Sequence, residues 1–449
     1  MRRFLLKKLF EWKGKKGRKP MILKGARQVG KTTLLKTFGE EAFEKVHYLN
    51  FEEDHTLCDL FKTQLDPKHL INEIRFKFES PIDIHTDLVI FDEIQACPKA
   101  LTSLKYFCEE MPELAVCAAG SLLGVYLTPV SFPVGKVDIM HLNPLTFEEF
   151  LLALEEKQLL EEIQNVDPSR AIPTLAHEAL FRLLKHYFVV GGLPEVVKIF
   201  RDHRENLYEA MLQVRETQDV LVETYLADIA KHAGKVNAMH VARVFKSVPE
   251  QLAATHDGNA SKFQFKGIVP GIDRYQRLAN AIDWLLGAGL ILKVPIVATG
   301  YLPFSSHAHE SQFKLYLFDV GLLGAMCPIK PKTLIEYTFG SYKGFFAENY
   351  VAQALLTTGI KQLFCWREKL AEVEFLYDDE GVAIPLEVKS GHVTHAKSAK
   401  IFADKYHSSH RVIFSGRSLN ISPTLHRYPL YLVDQFPLKK ESSNEFDYQ

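Results

Sequence analysis

The chain has 449 residues, 47% of them apolar and 24% charged, with a formal net charge of −1. That length exceeds one ordinary core and predicts about two to four domains of roughly 100 to 200 residues each. The composition excludes a disordered chain, and the near-neutral charge excludes a globally basic nucleic-acid binder.

Basic residues gather at the start, where Arg2, Arg3, Lys7, Lys8, Lys13, Lys15, Lys16, Arg18 and Lys19 face only Glu11. This segment reads as a solvated helix ahead of the first strand, with a nucleic-acid or membrane-surface contact as the alternative. No apolar signal region or small-residue cleavage site follows Arg2-Arg3, and no run approaches the roughly 18 apolar residues that cross a bilayer. The six cysteines, Cys58, Cys97, Cys108, Cys117, Cys327 and Cys365, show no paired metal-ligand spacing. A reduced, cytoplasmic protein without a membrane span is expected.

The apolar run 21–23 predicts a buried strand, and 33–38 a helix closed by Gly39. Between them Gly25, Ala26, Arg27, Gln28, Val29, Gly30, Lys31 and Thr32 fit the pattern of glycine, four free positions, then Gly-Lys-Thr. Such a loop cradles a triphosphate, because N–H groups at a helix start meet its charge with aligned donors. Lys31 would reach the β- and γ-phosphates, Thr32 would take a Mg²⁺ position, and Thr33 can donate to the α-phosphate.

A second strand is expected at 46–51, then a helix capped by Asp66-Pro67 and ended by Pro81. The apolar strand 88–91 runs into Asp92-Glu93, about 60 residues after the loop. That is the Walker B arrangement, with Asp92 placed for Mg²⁺ and Glu93 placed to polarise an attacking water. The next strand, 115–119, ends in Gly120-Ser121. In a parallel sheet Ser121 would sit near Asp92 as a polar sensor, or else cap the segment 122–126. A fifth strand is expected at 137–142. Thr146 and Glu149 then match a capping box opening one charged helix over 147–166.

An all-helical stretch follows, with helices at 174–190, from Leu193-Pro194, and over about 206–232. Its His177 and His186 read as surface or packing residues rather than metal ligands. Asp273 would cap a helix through Leu286, broken by Gly287 and Gly289. Strands at 290–297 and 313–318, joined by a loop over 298–312, complete a winged-helix arrangement. Arg274 and Arg277 stand against Asp273 and Asp283, a balance that favours a protein-contact or structural role over base readout.

Beyond Lys343 a helix carries Glu348, and strands follow at 363–366, 372–377 and 384–389. Alternation puts Glu387 and Lys389 on one face, and Glu374 can join them across a hairpin. Carboxylates and a lysine so placed read either as a metal-dependent nuclease site or as solvated cross-strand Glu–Lys pairs.

Taken in order, GARQVGKTT at 25–33, LVIFDEIQ at 88–95, AGS at 119–121, NPLTFEEF at 143–150, GGLPEVV at 191–197, KLYLFDVGLL at 314–323 and PLEVKSG at 385–391 resemble a prokaryotic family of predicted AAA+ superfamily ATPases. Members pair an N-terminal P-loop domain with a C-terminal domain of unknown function. The resemblance implies an α/β fold: a P-loop domain with a five-stranded parallel sheet at 1–165, a helical lid at 166–235, a winged-helix segment at 236–335 and a restriction-endonuclease-like domain at 336–449. It assigns phosphate binding to Lys31, Mg²⁺ to Thr32 and Asp92, the hydrolytic base to Glu93 and a sensor to Ser121. It maps the nuclease-like pattern onto Glu348, Glu374, Glu387 and Lys389. Where related chains carry aspartate in an EVDF-like strand, Glu374 keeps the charge and moves it outward by a methylene.

ATP and Mg²⁺ are thus the expected ligands, and a protein or DNA partner and a homo-oligomer the expected associations. Three functions follow: an ATPase that passes its nucleotide state to the C-terminal domains, a nucleotide-gated binding module with little turnover, and an ATP-regulated nuclease.

Overall fold

Four aliphatic or aromatic positions in a row rarely stay in solvent, and the runs expected as strands are the buried centre of the amino-terminal part. The computed structural model describes residues 1–124, 132–254, 261–327, 343–389 and 397–438. They divide into two compact units, one made of Met1–Leu145 with Leu193–Glu195 and Ile282–Leu290, the other of Thr146–Gly192, Val196–Ala281 and Ile291–Gln449.

In the first unit, α1 (Leu5–Gly14), β1 (Met21–Lys24), α2 (Lys31–Ala42), β2 (Val46–Asn50), α3 (Pro67–Phe78), β3 (Leu88–Asp92), α4 (Pro98–Glu110), β4 (Ala115–Gly120) and β5 (Asp138–His141) alternate along the chain. The five strands are parallel in the order β2-β3-β4-β1-β5. Strands β3 and β4 are buried along their whole length, as continuous apolar runs in a parallel sheet must be. In-register pairing of Lys24 with Gly120 and His141, and of Asn50 with Asp92, brings the carboxyl ends of the strands to one edge. The rings of Phe51, Phe61, Phe91 and Phe107 meet edge-on beneath them at 5.6 to 6.1 Å. Each such pair adds about 0.5–1.5 kcal/mol beyond burial.

Two expectations change here. Helix α2 runs on past Gly39 to Ala42, because that glycine is buried against β2: a Cβ there would lie 2.5 Å from Val46. It is a packing glycine, not a cap. The basic start is only partly solvated. Leu6, Leu9 and Trp12 bury one face of α1, and Arg3, Lys13, Arg18 and Lys19 all donate to backbone carbonyls of their own unit.

In the second unit come α5 (Phe147–Ala153), α6 (Lys157–Gln164), α7 (Thr174–Val190), α8 (Pro194–His203), α9 (Leu207–His232), α10 (Lys235–Ala253), α11 (Tyr275–Gly287), β6 (Ile291–Val297), β7 (Ala308–Leu317), α12 (Val320–Met326), α13 (Lys343–Leu355), β8 (Phe364–Glu368), β9 (Ala371–Asp379), β10 (Val382–Val388), α14 (Lys397–Tyr406), β11 (Arg411–Ser415), β12 (Asn420–Ser422) and β13 (Leu425–Pro429). The first turn of α8 and the last turns of α11 belong to the first unit. The capping box at Thr146 forms, but the single helix expected over 147–166 breaks in two at Glu155, which has φ 63°. The break lets Phe147 and Phe150 turn inward onto Tyr187. His177 bonds the Tyr431 hydroxyl at 2.8 Å, and His186 packs edge-on against Phe200, where burial first and then Arg182 and Lys185 lower its pKa to about 4.

The eight strands form one mixed sheet, β12-β13-β11-β10-β9-β8-β6-β7. The hairpin expected as a wing, β6 with β7, is therefore hydrogen-bonded through β8 into the sheet expected as the next domain. Strand β7 begins at Ala308, five residues before its expected start; His309, Glu310 and Ser311 are exposed and gave no apolar signal. Asp319 is fully buried and caps α12, accepting from Leu322 N–H at 2.9 Å and from Gly192 N–H at 2.7 Å. Gly191, with φ 74°, could carry no side chain, since a Cβ would lie 2.2 Å from Asp319. The boundary at 335, Ser390 and Gly391 of the PLEVKSG stretch, and part of the segment 122–126 lie outside the described residues. Among the described residues no helix is long and apolar enough to cross a membrane, and all six cysteines are free thiols.

Candidate active site

The loop between β1 and α2 turns through Gly25 (φ 156°), Gln28 (φ 64°) and Gly30 (φ 92°), left-handed positions that suit glycine. Gly25 has a second constraint, because a Cβ would fall 2.2 Å from the Leu142 carbonyl. Gly30 sets the start of α2, so the first N–H groups of that helix point into the loop with no side-chain cap. Arg3, 8% exposed, clamps the loop from behind, donating to the Val29 carbonyl at 2.8 Å and the Asn143 carbonyl at 2.6 Å. Pro194 of the GGLPEVV stretch lies against Gly30, 3.4 Å from where a Cβ would be. On the other side Gly289 approaches Ala26, and a recess of about 230 Å³ opens among Lys24, Gly25, Ser121, His141 and Gly287.

Lys31 is 6% exposed and curls onto the loop, its Nζ 3.1 Å from the Gly25 carbonyl and 2.8 Å from that of Ala26. Among the described residues it makes no ion pair. Burial lowers its pKa to about 8 against the pull of Glu93 and Asp92, with Arg27 adding to the decrease. A buried ammonium held only by carbonyls is a cation waiting for an anion.

The carboxyl edge of the sheet supplies the rest. Thr32 Oγ1 donates to Asp92 Oδ2 at 2.6 Å, and the Tyr48 hydroxyl, from β2, donates to the same oxygen at 2.7 Å. Burial and then this bond push the Tyr48 pKa up, so the hydroxyl stays a donor. Glu93 follows in a left-handed conformation, φ 47° and ψ 45°. Its Oε2 accepts from Gln95 at 2.5 Å and from Ser121 at 3.2 Å. Ser121 in turn accepts from Arg27 Nε at 3.2 Å, and Arg27 pairs with Glu52 at 3.3 Å. Lys31, Thr32, Asp92, Glu93 and Ser121, expected together, are linked at one edge. Arg3, Tyr48, Glu52 and Gln95 were not anticipated; only Gln95, two positions after the acid pair, carried a local signal.

The second group of expected residues lies in the other unit. Lys389 sits 2.7 Å from Glu387 and 3.7 Å from Glu374. Glu348 lies 2.9 Å from Lys314, a fully buried lysine of β7 that also meets Glu372 at 2.6 Å. Tyr316 donates to the same Glu348 oxygen. Burial opposes the charge of Lys314, but its surroundings hold it well above the usual lysine range. Burial raises Glu374 to about 8 against Lys389, with Glu387 and Glu348 adding to the rise. One oxygen each of Glu374 and Glu387 is buried without a hydrogen-bond partner. Among the described residues no group of three or more His, Cys, Asp or Glu side chains is placed to hold a metal ion.

Three family models match successive parts of the chain. Residues 17–151 match an AAA domain, 181–333 a domain of unknown function (DUF8612), and 343–439 another domain of unknown function (DUF4143). The parallel sheet and phosphate loop of the first unit are those of a P-loop domain of the AAA type. No curated protein matches. Among solved structures, the Walker-type ATPase PABY2304 of Pyrococcus abyssi is similar at 16% identity and TM-score 0.42, over 72% of this chain and 94% of that one. DnaA from Aquifex aeolicus, bound to AMPPCP, matches at 16% identity and TM-score 0.30, over 62% and 85%. The Aeropyrum pernix ORC1 protein in complex with DNA matches at 11% identity and TM-score 0.32, over 72% and 91%.

Proposed function

We propose that the first unit binds ATP with Mg²⁺ and hydrolyses it, and that nucleotide state alters how the rest of the chain contacts a protein or nucleic-acid partner. The observation that supports this most is the convergence of Lys31, Thr32, Asp92 and Glu93 from two elements on one edge, with no acidic partner on Lys31 among the described residues. The hard oxygens of Thr32 and Asp92, 2.6 Å apart, are a donor set suited to Mg²⁺. When bound, the ion would neutralise phosphate charge.

In this reading Lys31 leaves the carbonyls of Gly25 and Ala26 for the β- and γ-phosphates, and the N–H groups of residues 30–33 take phosphate oxygens. Glu93 accepts a proton from the water that attacks the γ-phosphorus, and Ser121 contacts the γ-phosphate from β4. A cytoplasmic location and a homo-oligomer belong to the same reading. Glu93→Gln tests it: turnover falls by about 10²- to 10⁴-fold while ATP binding stays. Equal turnover in the two proteins would remove Glu93 as the base, and no ATP binding by the wild type would remove the proposal.

A second reading rests on the orphaned oxygens of Glu374 and Glu387, which fit a divalent cation beside Lys389. It makes the carboxyl-terminal cluster a nuclease site. Plasmid DNA incubated with Mn²⁺ should then be cut by the wild type and not by Lys389→Ala; cutting by both would exclude the cluster.

A further inference from the structure

Glu93 is held by more than its own backbone. The left-handed turn at Glu93 and the 3-10 turn Ile94–Ala96 fold the chain back, so that the side chain two residues on returns to the carboxylate. Gln95 Nε2 donates to Glu93 Oε2 at 2.5 Å. Ser121 donates to the same oxygen, and among the described residues no hydrogen bond reaches Oε1. One carboxylate oxygen is anchored and the other is presented.

The amide of Gln95 accepts a cost for this. Its Oε1 is buried without a partner, a desolvated acceptor that no hydrogen bond repays. Turning the amide over would set that oxygen against the carboxylate, acceptor to acceptor, and lose the one hydrogen bond the side chain makes among the described residues. The amide is also confined from below: a Cβ on Gly120 would fall 2.4 Å from Oε1, so the neighbouring strand must end in glycine for Gln95 to lie where it does. A group held at such a cost, in a place cleared for it, is held for the carboxylate it meets.

We infer that Gln95 is the positioning residue for Glu93, fixing Oε2 so that Oε1 faces the attacking water. The inference rests on the ATPase reading and adds a residue to it. In this role Gln95 acts through Glu93, the group its amide meets.

The test compares Gln95→Met, which keeps the volume and removes the donor, in the wild type and in a Glu93→Asp background whose shorter carboxylate has already left the amide. Hydrogen bonds to charged groups are worth about 1.5–3 kcal/mol, so kcat should fall by about 10- to 100-fold in the wild-type background. The affinity for a non-hydrolysable ATP analogue, read by calorimetry, should stay the same. In the Glu93→Asp background the same substitution should change kcat less than about twofold, a loss of additivity that a packing role would not produce. Wild-type kcat in Gln95→Met, or the same fold loss in both backgrounds, overturns the inference. Absence of turnover in the wild type itself would instead strike the ATPase reading, and this inference with it.

Discussion

Both units gather carboxylates around a lysine at a sheet, and they treat the lysine in opposite ways. In the first, Lys31 rests on backbone carbonyls while neutral donors, Thr32 and Tyr48 on Asp92 and Gln95 and Ser121 on Glu93, hold the acids apart from it. In the second, Lys314 touches Glu348 and Glu372, and Lys389 touches Glu387 and Glu374. The difference teaches that charge left unneutralised is charge available to a ligand, whereas charge already paired holds its own fold. In the proposed function, separating acids from base with hydroxyls and amides is what makes the first cluster a receptor for phosphate.

The contrast can be broken most forcefully at Lys314. Lys314→Met takes the buried cation away from Glu348 and leaves Glu372 only its longer contact with Arg367 at 3.6 Å, and should lower the unfolding free energy by about 3–5 kcal/mol in urea titrations. Unchanged stability would mean that the pairing is not structural. Lys31→Met should instead weaken ATP binding by about 100-fold, the worth of two charge-assisted bonds, without lowering stability when nucleotide is absent. Calorimetry and thermal melts read the two halves of that statement.

Asp319, another buried acid, accepts from the backbone N–H groups of Gly192 and Leu322. Asp319→Ala should cost about 2–3 kcal/mol through the lost cap and the stranded N–H of Gly192, measured as a shifted urea midpoint. Next is the pH dependence of ATP affinity. Burial lowers Lys31 to about 8 in the empty site, and phosphates would raise it. Below about 8 the lysine is charged before and after binding. As pH rises above 8 the empty site loses the proton and binding must restore it, so affinity should fall by up to about tenfold per pH unit, with proton uptake visible in buffers of different ionisation enthalpy. A flat profile from pH 7 to 9.5 would contradict the unpaired state of Lys31. The smallest effect is at Lys15, whose pair with Asp138 is open to solvent at 3.2 Å. Lys15→Ala should shift stability by less than about 0.5 kcal/mol.

What could be read from the sequence was local and contiguous. The loop at 25–33 and the strand ending in Asp92-Glu93 are short patterns whose spacing carries their chemistry; the individual strands followed from local runs, and their joining into a five-stranded parallel sheet from the family resemblance. Tyr48 and Arg3 were not legible, because each reaches the site from an element whose own pattern explains it otherwise: Tyr48 as an alternating strand position, Arg3 as one of many basic residues. Lys314 did leave a trace. A lysine inside KLYLF has nowhere to go in a buried strand unless acids await it, and alternation sets Tyr316 on the same face. The split at Glu155 left none, since no residue at 154–156 forbids a helix.

The first unit is discontinuous along the chain. Stretches 193–195 and 282–290 return to it after long detours, laying Pro194 on Gly30 and Gly289 beside Ala26, and Arg3 grips it from ahead of the segment that matches an AAA domain. A recombinant fragment cut at 17 and 151 would therefore be missing its rear clamp and both later insertions. Work on this loop belongs with uninterrupted polypeptide.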